Sequence, residues 1–270
     1  MPTMIFYLKN DHSIKGDVMD IYKKDNWINP NILYTFNRTI IEYDMREAGY
    51  SLVKEYNLLP KKEMNSLRVM NKDARHVKIG KLQRDLEGFS KDLMNAFADA
   101  RKGFFEMNHL EESDIISIKK DAIFVTKKCI HEIIGNHVNF RPKNTYTSYI
   151  HLDKMLEIYY HPDKTDIKGI GKDNIYKHQD YMVSFINTFC DKMEQENPRN
   201  VLTFLRRFAD YYKNRDLDVG YYRTFNNRSE FVMAGEEEVM YDQVDATDIW
   251  NLDISYNFFN VIVKLFKIPI

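Results

Sequence analysis

Two aspartates carry the strongest chemical suggestion in this sequence. Asp44 closes the β-branched run Thr39-Ile-Ile-Glu-Tyr43, and Asp121 opens Asp121-Ala-Ile-Phe-Val125, just after the apolar run Ile115-Ile-Ser-Ile118. The flanking residues read as strands, so each carboxylate falls at a strand end or bend. On neighbouring strands of one sheet, two such groups suit a pair of Mg²⁺ ions. Mg²⁺ takes hard oxygen ligands and needs only one or two carboxylates besides substrate phosphates. Two ions so held activate an attacking oxygen and stabilise a leaving pyrophosphate. The plainer alternative is that both residues are turn formers, a common duty of aspartate.

Cations lie between them. Residues 61–84 hold eight Lys/Arg against Glu63 and Asp73, a formal charge of about +6. Leu82, Leu86, Phe89, Leu93, Phe97, Ala100 and Phe104 then step by three or four and predict one long amphipathic helix. A second stripe, Arg84, Lys91, Asn95 and Lys102, falls within roughly 20° of one direction on that helix. Such a stripe is either a solvated face or a surface for an anionic ligand. Lys78, Lys81 and Arg84 join Lys91 if the basic segment folds back as half of a helical hairpin.

The elements that must position these groups follow from local pattern. Met4–Leu8 is a strand. Ala48, Leu52, Val53 and Tyr56 mark a helix that Pro60 stops. A hairpin spans 115–125 and bends at Lys119-Lys120. Leu156–Tyr160 is a strand, and Asp166–Gly171 a turn-rich loop. Helices are expected over 180–194 and 201–213, with Pro198 breaking between them. The acidic run Glu236–Glu238 is expected as a solvated loop. Ile254, Phe258, Val261 and Leu265 mark a terminal amphipathic helix over 253–267. The order predicts an α+β protein, with helical insertions that leave and rejoin one sheet.

Taken together, these segments resemble the polymerase motifs of family B DNA polymerases. Ile40-Ile-Glu-Tyr-Asp44-Met-Arg-Glu-Ala-Gly-Tyr50-Ser51 is similar to motif A, Lys91-Asp-Leu-Met-Asn95-Ala-Phe-Ala98 to motif B, and Ser117-Ile-Lys-Lys-Asp121-Ala-Ile-Phe124 to motif C. Asp166-Ile-Lys168-Gly169 looks like the Lys-Gly loop that follows. The resemblance covers about residues 35–175. It implies a palm-like antiparallel sheet with a helical fingers insertion and a small helical thumb-like region. The corresponding segments are 1–60 and 109–175 for the palm, 61–108 for the fingers and 176–270 for the thumb-like helices and C-terminal region.

The resemblance also implies a function and roles. The protein would be a polymerase-like nucleotidyl transferase, extending a nucleic-acid primer by a two-metal mechanism. Asp44 and Asp121 would hold Mg²⁺. Lys91, Asn95, Lys78, Lys81, Arg84 and Lys168 would contact the nucleoside triphosphate or the primer-template. Tyr50, or the space at Gly49, would read the sugar. Gly49 is alternatively a tight turn into the following helix. A protein partner supplying primer or processivity fits this scheme, and so does a viral or phage source, acting in the cytoplasm of an infected host.

The departures define a rival reading. Motif C has Lys119-Lys120 where the family has Asp-Thr, motif B lacks its Ser and Tyr-Gly, and Glu157 stands where a Lys-x-Tyr element is expected. Those losses suit a catalytically impaired, polymerase-derived nucleic-acid-binding or structural subunit.

Composition narrows the field. The 270 residues are 44% hydrophobic and carry a net charge of −1, so a large core is affordable and binding by bulk positive charge is excluded. Cys129 and Cys190 stand far apart, which excludes a disulfide scaffold or a Cys-rich zinc site. His131, Glu132 and His137 miss the spacing of a helical zinc motif. The Tyr and Phe residues read as core rather than as base-stacking platforms. No apolar run approaches the ~18 residues of a membrane span.

Overall fold

The computed structural model describes residues 5–7, 18–153, 156–169, 179–222, 231–234 and 237–240. The expected helix over 253–267 and the end of the 166–171 loop lie outside them. The fold is α+β with antiparallel sheets, as expected. The chain divides into two compact units. One takes in Met1–Phe6, Leu33–Arg38 and the chain from Tyr146 onward. The other takes in Tyr7–Ile32 and Thr39–Thr145. The division falls inside the segment expected as the second half of the palm.

The second of these units holds both aspartates. Its strands are β2 (Asn26–Ile28), β4 (Ile40–Met45), β5 (Ile115–Lys119), β6 (Ala122–Val125), β7 (Ile133–Ile134) and β8 (Val138–Tyr146), in the order β2-β5-β6-β4-β8-β7. Alternation sets the two faces of the sheet. Tyr43, Met45, Ile118, Ile123, Val125, Val138 and Phe140 enter one core. Glu42, Asp44, Asn139, Arg141 and Lys143 have the opposite parity on their strands.

Four helices leave the sheet after β4 and return at β5. They are α1 (Ala48–Glu55), α2 (Lys61–Arg68), α3 (Lys72–Asp85) and α4 (Phe89–Met107). The stripe of Phe89, Leu93, Phe97, Ala100 and Phe104 is buried as predicted, each large side chain contributing roughly 1.5–3 kcal/mol of transfer free energy. The expected single long helix is broken, however. Leu86 is extended, with φ −109° and ψ 113°, and 39% exposed, and Gly88 has φ +78°. Glycine makes that left-handed step cheap, so Leu82 and Leu86 belong to the previous helix and its end. The sequence period runs across the break because both helices pack on the same core.

Proline has a different duty from the one expected. α1 ends at Glu55, before a left-handed Asn57 with φ +50°, and Pro60 leads into α2.

The other unit has a five-stranded sheet. Its strands are β1 (Ile5–Tyr7), β3 (Ile32–Thr35), β9 (Ser148–Asp153), β10 (Leu156–His161) and β11 (Lys164–Lys168), in the order β1-β3-β9-β10-β11. A π-helical turn, Gln179–Val183, leads into α5 (Ser184–Gln195), and α6 is Pro198–Lys213. Pro198 opens α6, where its missing N–H costs nothing, and the Asn197 side chain accepts from Asn200 N at 3.0 Å. Phe185, Phe189, Leu205 and Tyr212 pack with Ile158 and Tyr160 of β10. Asp166–Lys168, expected in a loop, lie in β11. Glu237 and Glu238, also expected in a loop, begin β13 (Glu237–Met240), which pairs with β12 (Phe231–Ala234).

Candidate active site

The chain brings Asp44 and Asp121 to one end of adjacent strands. Asp44 pairs with Ala122, the residue after Asp121. The N–H of Met45 donates to Asp121 O at 2.9 Å, stitching β4 to the β5–β6 turn. That turn contains Lys120 in a left-handed conformation, φ +54°. Lys120 N donates to Asp25 O at 2.6 Å, and the Arg101 guanidinium donates to Lys120 O at 2.7 Å.

Both aspartates line a cleft of about 880 Å³. Burial raises the Asp121 carboxyl above its usual range, and the neighbouring charge of Asp44 pushes it the same way. Its own backbone N–H, Lys143 and Lys120 oppose the shift. The two groups thus feel one another as like charges in partly dry surroundings. Among the described residues, no group of three or more His, Cys, Asp and Glu is arranged to hold a metal. The oxygen-only pair nevertheless fits Mg²⁺, which needs few protein ligands when a substrate supplies phosphates.

Cations already answer these charges. Lys143 Nζ of β8 lies 3.2 Å from Asp44 Oδ1 and 3.5 Å from Glu42 Oε1. Arg141 is farther, at 4.0 Å from Asp44 Oδ2. Burial alone would lower Lys143, but Glu42 and Asp44 outweigh it and hold the ammonium above its usual range. Asn144 donates to the other Glu42 oxygen.

The opposite wall is α3. Lys72, Arg75, His76, Ile79, Gly80 and Gln83 recur at helical spacing and line the cleft. The side chain of Asn71 caps α3, accepting from Ala74 N at 2.9 Å. The guanidinium carbon of Arg75 sits 4.4 Å from the Tyr50 ring centroid, and Arg75 pairs with Glu47 at 3.0 Å. Glu47, with φ +47°, makes the sharp entry into α1. Gly49 is helical, its absent Cβ would meet Ile79 only at an ordinary 3.5 Å, and both Gly49 and Tyr50 line the cleft.

The expected cation set is placed otherwise. Lys78 pairs with Glu63 at 3.7 Å. Lys81, Arg84, Lys91 and Asn95 are exposed, and none of them is among the cleft's lining residues. Arg84 stands on α3, so it shares no helix with Lys91. Lys168 belongs to the other unit, at the end of β11 opposite Glu157.

Lys72, Arg75, His76, Arg141 and Lys143 escaped the sequence reading. A signal existed for two of them: in Val138-Asn-Phe-Arg-Pro-Lys143 the apolar residues alternate with Asn139, Arg141 and Lys143, which places those three on the face that Asp44 shares.

Comparison with known proteins gives one family. The family model described as Bacteriophage PBS1 gene 130 protein matches residues 18–270. No curated protein matches the chain.

Proposed function

The chain belongs to the Bacteriophage PBS1 gene 130 protein family, and on that premise we propose that it is a reduced, palm-type nucleotidyl transferase that extends a nucleic-acid primer inside the infected host. The carrying observation is the convergence of Asp44 and Asp121, from β4 and the β5–β6 turn, on one cleft whose far wall is cationic. Asp44 and Asp121 would hold Mg²⁺, which when bound supplies activation of the attacking hydroxyl and stabilisation of the leaving pyrophosphate.

The protein's own residues do the rest. Lys72 and Arg75 offer positive charge, and His76 a ring N–H, to a triphosphate from one helix face. Arg75, braced by Glu47 and Tyr50, keeps its fork oriented. Tyr50 faces Arg75, so it serves the sugar only through the position that the pair fixes. Lys78, Lys81 and Arg84 face away and suit the longer backbone of a primer-template, whose binding draws on released counterions.

A second reading has its own observation. Lys143 and Arg141 already neutralise Asp44, and Lys119-Lys120 stand where the resembled family has Asp-Thr. A polymerase-derived subunit that binds nucleic acid or a replication partner without catalysis would look like this.

Primer extension separates the two. With Mg²⁺ and a primed template, the wild-type chain should incorporate nucleotides. Asp44→Asn and Asp121→Asn should each lose at least about a hundredfold in rate, with unchanged circular dichroism and primer-template binding. Tight binding without incorporation by the wild type selects the second reading.

A further inference from the structure

Lys143 is an unusual neighbour for a carboxylate meant to hold a divalent ion. Its ammonium bridges Asp44 at 3.2 Å and Glu42 at 3.5 Å, yet the side chain is 47% exposed. Glu42 is 3% exposed and keeps a second partner, the Asn144 amide. Arg141 could neutralise Asp44 in its place but stands back at 4.0 Å.

A Mg²⁺ ion approaches its oxygen ligands to about 2.1 Å. It cannot share Asp44 Oδ1 with an ammonium at hydrogen-bond distance without strong repulsion. Exchange relieves that repulsion at Oδ1, and a lysine suits it. Lysine is a compact charge on a flexible four-carbon stem, whereas arginine would clamp the carboxylate with a planar fork.

We propose that Lys143 is an exchangeable counter-ion. It neutralises Asp44 in the metal-free protein and yields that carboxylate to the divalent cation. Its ammonium, still tethered by Glu42, then turns to the polyphosphate of the incoming nucleotide. The inference rests on the metal-binding reading of Asp44 and Asp121.

The test is calorimetric and needs no turnover. Mn²⁺ alone is titrated into the full chain, and tripolyphosphate is then titrated at saturating Mn²⁺. Lys143→Met should bind Mn²⁺ about fivefold more tightly, because one competing ion pair is gone, and tripolyphosphate about fivefold more weakly. The two shifts have opposite signs, which a damaged fold would not produce.

Mn²⁺ affinity that is unchanged or weaker in Lys143→Met overturns the proposal. So does tripolyphosphate affinity that does not fall. Mn²⁺ binding that is lost in Asp44→Asn but indifferent to Lys143→Met keeps the metal site and removes Lys143 from it. No Mn²⁺ binding by the wild type removes the metal reading, and the role of Lys143 with it.

Discussion

Arg101 shows how much one side chain can decide. It stands on α4 with no exposed surface. Its guanidinium donates to Tyr22 O at 2.7 Å, Lys120 O at 2.7 Å and Asp25 Oδ1 at 3.0 Å. Burial pulls its pKa down, and the Asp25 carboxylate opposes that. One of those bonds holds the left-handed residue next to Asp121, so Arg101 is a positioning residue for the turn. Arg101→Met should lower stability by about 3–5 kcal/mol, because it strands two carbonyls and a carboxylate. Asp25→Asn should cost about 1 kcal/mol, since Asp25 keeps 27% of its side-chain surface in water. Urea unfolding monitored by circular dichroism checks both, and equal losses would remove the buried pair as the cause. Nothing in the sequence around Arg101 announced this role, because its partners lie 19 to 79 residues away.

At the scale of elements, α3 separates two sets of polar side chains. Its cleft face carries Lys72, Arg75 and His76, while Lys78, Lys81 and Arg84 point elsewhere. Replacing the first three by Ala should weaken tripolyphosphate binding about tenfold or more, as two charge-assisted contacts and an imidazole donor go. Binding of a long primer-template should change little. Replacing the second three should do the reverse, flattening the salt slope of nucleic-acid binding by up to about three. Anisotropy titrations across a salt series, run on both triple variants, read the two effects separately. If the second set governs tripolyphosphate binding, the assignment of α3 faces is wrong. The basic character of this segment was legible in composition. Which face meets the aspartates was not, because it depends on how Ile79 and Leu82 bury α3 against the core shared with α1 and α4.

At the scale of the molecule, the two units have separate cores and separate electrostatic supports. Asp166 in β11 illustrates the unit without the candidate site. Burial alone would raise its carboxyl, but the Tyr146 hydroxyl and the Lys164 ammonium, 2.9 Å away, hold it below the usual 3.8. A depressed carboxylate stabilises the fold above its unfolded pKa, and that contribution is lost as pH falls through the lower folded value. Asp166→Asn should therefore be less stable at pH 7 by about 1–2 kcal/mol. The gap should close below pH 3.8. Thermal melts from pH 7 to pH 2 test this, and a gap independent of pH would refute the assignment. Among the described residues no helix is long and apolar enough to cross a membrane.

What the sequence by itself determined is local. The strand carrying Asp44, the hairpin carrying Asp121 and the buried stripe of α4 follow from short β-branched or apolar runs and from a side-chain period of about 3.6 residues. Those local patterns act over a few neighbours and survive any arrangement of the rest. Tertiary structure decided what meets the aspartates. Lys143 reaches Asp44 across 99 residues of chain, and it does so because β8 lies beside β4 in the sheet. Arg75 reaches Tyr50 and Glu47 because α3 folds back over α1. Charge partners of this kind depend on strand order and on the angle between helices. Both are set by burying the shared core, and that core formed without regard to which charges it would bring together.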